Sequence, residues 1–126
     1  MARPRVPELT QRELEVMHVF WSRGETTVAE VRDALAADGL ERAYTTVATL
    51  VRILCDKGFL KQTNQERPFR FRPARSRDDV SRRMLANLVE KVFRGSREEL
   101  VLRLFDRSQF TDEERAVLEK LLRENP

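Results

Sequence analysis

The sequence predicts a mainly α fold with a small β wing, divided into residues 1–75 and a helical stretch over 76–126. Three observations carry this expectation. Serine or threonine stands three places before glutamate at four candidate helix starts. Apolar residues then recur at helical spacing through most of the chain. Residues 59–72 instead alternate with a period of two, broken by a polar tip, as a strand pair does.

The helix starts are Thr10 with Glu13, Thr27 with Glu30, Ser96 with Glu99 and Thr111 with Glu114. In each pair the hydroxyl can accept from the third amide of the helix while the carboxylate reaches back to the cap amide. Ser76 with Asp79 is a shorter-armed version. The first helix runs from about Gln11 to Ser22 with Leu14, Met17, Phe20 and Trp21 on its apolar face, and Gly24 as its stop. His18 sits at the edge of that face without a second histidine or a cysteine nearby, so a structural role is expected for it. The second, about Val28 to Asp38, buries Val28, Val31 and Leu35 and ends at Gly39.

The third helix, about Tyr44 to Lys57, anchors itself through Val47, Leu50, Val51 and Leu54. Its opposite face carries Thr45, Ala48, Thr49, Arg52 and Asp56. Small and hydroxylated residues let a helix enter a groove closely. Threonine can bond base edges or phosphates, and its methyl can touch the thymine methyl. Gly58 closes this helix. Residues 59–63 and 68–72 then read as strands around the tip Asn64-Gln65-Glu66-Arg67. Phe69 and Phe71 share one face; Arg70 and Arg72 share the other. This order of elements is that of a winged helix-turn-helix, which lays one helix in the major groove of DNA. Arg67 at the tip and Arg70 on the outer side are candidate contacts to the same DNA.

Three further helices follow: about Arg77 to Phe93, Arg97 to Phe105, and Asp112 to Arg123. The middle one is apolar nearly all round, and three helices in so short a stretch can barely bury it. A second copy of the chain would. A homodimer is therefore expected through Leu85, Leu88, Val92, Leu100, Val101, Leu104, Phe105, Leu118 and Leu121.

Composition sets the function classes aside. Residues 1–75 hold 13 Lys and Arg against 10 Asp and Glu, whereas residues 76–126 hold 11 of each. Lys57, Lys61, Arg67, Arg70, Arg72 and Arg75 stand against Glu66 alone, an island suited to a polyanion. One cysteine, Cys55, excludes an intrachain disulfide and a multi-cysteine metal site. No apolar run is long enough to span a bilayer, and Met1 to Pro7 leads into no signal region, so a cytoplasmic location is expected. One histidine, one cysteine and no glycine-rich phosphate loop leave no catalytic residue to assign, and no cofactor or metal is expected. A protein-binding winged helix is the remaining alternative; it would keep the fold but lack salt-sensitive duplex affinity.

The chain resembles the penicillinase-repressor family, the BlaI/MecI/CopY group. The resemblance rests on Thr10-x-x-Glu13-x-x-x-Met17-x-x-x-Trp21, Thr46-Val47-x-Thr49-Leu50, Lys57-Gly58, Arg67-x-Phe69-x-Phe71-x-Pro73 and Val92-Phe93-x-Gly95-Ser96. It implies a homodimeric transcriptional repressor on palindromic double-stranded DNA, with contacts from Thr45, Thr46, Thr49 and Arg67. Ala43 stands where the family usually has a capping serine, Ile53 where it has an arginine, and Glu66 where a tip glycine is common. These departures concern the operator sequence rather than the fold. Antibiotic-responsive members are released by cleavage in the dimerisation region after a membrane sensor protease signals. The corresponding region here is Arg103-Leu104, without the asparagine–phenylalanine pair of some members, so cleavage stays an open expectation. Copper-responsive members carry C-terminal cysteines, which this chain lacks after Cys55.

Overall fold

The computed structural model describes residues 8–105 and 110–125. Met1 to Pro7, expected to hold no signal region, lies outside them. The elements are α1 (Gln11–Arg23), β1 (Thr26–Thr27), α2 (Val28–Ala37), α3 (Tyr44–Asp56), β2 (Leu60–Gln62), β3 (Arg70–Pro73), α4 (Arg77–Phe93), α5 (Arg97–Phe105) and α6 (Asp112–Glu124). The fold is thus helical with one small antiparallel sheet, in the order β1-β3-β2.

Capping explains where the helices begin. Thr10 and Thr111 form complete reciprocal boxes with Glu13 and Glu114. Thr27 Oγ1 accepts from the Glu30 N–H at 3.2 Å, while Glu30 turns its carboxylate to the hydroxyls of Thr26 and Thr27. Ser76 and Ser96 accept from the amides of Asp79 and Glu99. The end of α3 is set by Gly58, whose φ of 84° is open to glycine at little cost. There the Phe59 N–H donates to the Leu54 carbonyl at 2.9 Å, and both side chains are buried, so the same turn stops α3 and plants the root of the wing.

The chain divides into two compact units, Met1–Met84 and Leu85–Pro126. In the first, α1, α2 and α3 pack around Val16, Met17, Phe20, Val31, Leu35, Val47, Val51 and Leu54, with the sheet contributing Leu60 and Phe71. Contacts of α1 with β3 and of α3 with β2 cover the inner face of the wing. The sequence places the break at residue 75/76. The first two turns of α4 stay with the first unit because Val80, 4% exposed, belongs to its core.

Three local expectations need correction. The buried face of α1 includes Val16 and Val19, whereas Leu14 and Trp21 are only half-buried. Thr26 and Thr27 form a third strand, paired Thr26↔Phe71 and Thr27↔Arg70, in a stretch read only as a helix cap. Glu13, a helix-capping carboxylate, is 2% exposed. Its burial is tolerated because Lys57 Nζ donates to Oε1 at 2.9 Å and the Thr10 N–H donates to the same oxygen at 2.8 Å. Burial alone raises this carboxyl, but the bonds from Lys57 and Thr10 outweigh it and hold Glu13 below the usual carboxylate range.

In the second unit no described residue is fully buried. Helices α5 and α6 have no buried position, and Leu85, Leu88, Val92, Val101, Leu104, Phe105 and Leu121 are all exposed. Leu100 and Leu118 are half-buried. Leu102, Val117 and Leu122 widen the apolar surface. Among the described residues no helix is long and apolar enough to cross a membrane.

Candidate nucleic-acid interface

Helix α3 turns its polar side outward because its apolar side is fixed. Val47, Val51 and Leu54 are at most 1% exposed, and Leu50 is half-buried. At 100° per residue this leaves Thr45, Thr49 and Arg52 facing solvent, as they do, with Thr46 and Ala48 half-buried beside them. Thr49 Oγ1 donates to the Thr45 carbonyl at 2.9 Å. Its proton is therefore turned back along the helix, and the hydroxyl offers lone pairs and a methyl outward. An acceptor of this kind suits the amino group of adenine or cytosine, and the methyl suits thymine.

The N-terminal end of α3 is open. Ala43 is the cap residue and supplies no side-chain acceptor, so the first-turn N–H groups present the positive end of the helix unshielded. The Arg32 guanidinium lies 5.8 Å from the centroid of the Tyr44 ring and ties this turn to α2. Arg42, in the connection before α3, pairs with Glu15 of α1 at 3.4 Å.

The wing tip is organised by Asn64, a role not legible in the sequence. Its Nδ2 donates to the carbonyls of Glu66 and Pro68 at 2.9 and 3.1 Å, and its Oδ1 accepts from the Arg70 N–H at 2.7 Å. Arg67 projects from this clasped tip with its guanidinium 5.5 Å from the Phe69 ring centroid, a stacking that limits its freedom. Between α3 and the wing lies a cleft of about 900 Å³ lined by Tyr44, Ala48, Arg52, Arg67 and Phe69 among others. The fold thus brings Arg52 and Arg67 to one groove although they are distant in sequence. Thr45, Thr46 and Thr49 do not line it.

The basic island is less free than its sequence suggests. Lys57 Nζ is bound to Glu13 and also donates to the Glu8 carbonyl at 3.0 Å. Arg70 Nε meets Glu25 at 3.0 Å, and its NH1 lies 3.8 Å from Glu30. Arg75 reaches Asp79 at 3.8 Å, stacks over Phe59, and lends its carbonyl to Trp21 Nε1 at 2.9 Å. Three of the six cations are therefore engaged inside the unit. Lys61, Arg67 and Arg72 are exposed, and no described carboxylate comes within ion-pairing distance of them.

Two residues stand outside this surface. His18 is exposed and meets Trp21 edge-on at 5.4 Å between ring centroids. Cys55 is half-buried in the wall of the cleft, where burial and then the neighbouring Asp56 push its thiol upward, away from the reactive thiolate. Among the described residues no group of three metal-ligating side chains forms.

The model of a family described as penicillinase repressor matches residues 9–124. Transcriptional regulator BlaI of Mycobacterium tuberculosis is 33% identical over 105 residues, which cover 82% of this chain and 75% of that protein. The penicillinase repressor of Bacillus licheniformis is 25% identical over 121 residues, covering 96% of this chain and 94% of the relative. Among solved structures, the DNA binding domain of the repressor BlaI superposes with a TM-score of 0.52 at 27% identity, covering 61% of this chain and 93% of that domain.

Proposed function

The chain belongs to the penicillinase repressor family, and on that footing we propose that it is a DNA-binding transcriptional repressor acting as a homodimer on a palindromic operator. The observation that carries the reading is the split of α3: Val47, Val51 and Leu54 locked in the core, Thr45, Thr49 and Arg52 turned to solvent. Thr45, Thr46, Ala48 and Thr49 would meet base edges in the major groove. Arg52 and Arg67, on the two sides of one cleft, would grip the strand between helix and wing. Residues 1–75 supply this DNA-binding half and residues 76–126 the dimerising half. The relatives' printed names as repressors, and the structure of a repressor's DNA binding domain, support the assignment.

Dimerisation is supported by the apolar surface that the second unit leaves uncovered. A two-fold protein would place two copies of α3 in successive major grooves, about one helical turn apart. Cleavage near Arg103-Leu104 is the release route this reading admits; both residues lie on α5, so that helix would have to unwind to enter a protease as extended chain.

The experiment is selection of bound fragments from a random duplex pool by the purified protein. Recovery of a palindrome with half-sites about one turn apart is the expected result. A pool without enrichment would favour the protein-binding winged helix instead.

A further inference from the structure

The outer face of the wing sheet carries three cations that are held in different ways. In the register of β2 and β3, Lys61 stands directly opposite Arg72. Alternation along β3 puts Arg70 on the same face as Arg72. Arg70 is bound by Glu25 at 3.0 Å and approached by Glu30 at 3.8 Å. Hydrogen bonds from Thr63 and then Arg70 hold the Glu25 carboxyl below its usual range, which marks Thr63 and Arg70 as its partners. Arg72 acts on Glu25 only through its field, without an ion pair, and no described carboxylate pairs with Lys61.

Like charges directly opposite in an antiparallel pair have Cβ atoms about 5 Å apart and destabilise the sheet. The wing therefore carries a repulsion that a shorter or neutral side chain would remove. An anion lying between the two side chains reverses its sign. Resting on the DNA-binding reading above, we propose that Lys61 and Arg72 form a phosphodiester-binding pair on the wing, in addition to α3 and Arg67, while Arg70 only positions the wing against β1 and α2. The three side chains are sorted by their partners: Arg70 spends its charge within the protein, and the opposed pair keeps its charge for a backbone phosphate of DNA.

The test measures duplex affinity against salt concentration, together with the melting temperature of the free protein, for the full chain and its variants. Neutralising one phosphate contact changes the slope of log K against log salt by about 0.9, or about eightfold in affinity at 0.1 M salt. The double variant Lys61→Gln/Arg72→Gln is expected to lose that much slope while its melting temperature stays level or rises. Arg70→Gln is expected to keep the slope and lower the melting temperature. An unchanged slope in the double variant, a fall in its melting temperature, or an equal loss of slope in Arg70→Gln overturns the proposal. An unaltered protein without salt-dependent duplex affinity overturns the DNA-binding reading itself, a distinct result.

Discussion

The unit up to Met84 and the unit from Leu85 are built from similar capped helices, yet only the first has a closed core. Every fully buried described residue lies at or before Val80. Helices α5 and α6 are rich in leucine and valine, but they leave Leu102, Val117 and Leu122 more than half exposed. Apolar content alone does not make a core. The first unit has three helices and a sheet converging on Phe20 and Phe59, while the second lacks enough surrounding surface to close over its own stripes. A domain complete in itself can present a rigid polar helix to DNA. A domain left open is suited to a second copy of itself.

That contrast can be broken most forcefully in the first core. Phe59→Ala, at a position 1% exposed, should cost about 3–5 kcal/mol of unfolding free energy by chemical denaturation, enough to unfold a marginal domain. The matching change in the second unit, Leu122→Ala at 73% exposure, should leave the same measurement within about 0.5 kcal/mol unless the partner covers it. A large cost there would place Leu122 in the dimer interface. Leu104→Asp, on the exposed face of α5, should weaken self-association about a hundredfold in sedimentation equilibrium, from roughly 3 kcal/mol of lost leucine burial. Unchanged association would remove this face from the interface.

A smaller effect tests how the first unit is fastened. Glu13→Gln should cost about 2 kcal/mol at neutral pH, because Lys57 and the cap of α1 lose a charged acceptor. The folded carboxyl sits below its unfolded value, so its contribution is present above the ordinary carboxylate pKa of about 4.3 and is lost as pH falls through the folded one. The gap between the parent and Glu13→Gln should therefore narrow below about pH 4 in denaturation curves taken across pH. A gap independent of pH would assign Glu13 to packing alone.

The residues show why sequence revealed the frame better than the surface. Helix starts were legible because a hydroxyl and its carboxylate lie three residues apart, as at Thr10 and Thr111, where both bonds of the box form. The α3 stripe was legible because periodicity is local: Val47, Val51 and Leu54 are buried and Thr45 and Thr49 are not. Strand β1 was missed because Thr27 is at once strand residue and helix cap, and its partner Arg70 comes from the wing. Charge was misjudged for a similar reason. Lys57 meets Glu13, and Arg70 meets Glu25, across more than forty residues, a pairing that no local pattern announces.

The most direct test concerns the outward side of α3. Affinity of the Thr49→Ala variant is measured on the selected operator and on a random duplex under the same salt. If the Thr49 oxygen and methyl read a base edge, operator affinity falls by about 1 kcal/mol or more, roughly fivefold, while random-duplex affinity stays within error. Equal losses on both duplexes, or no loss on either, would contradict the account.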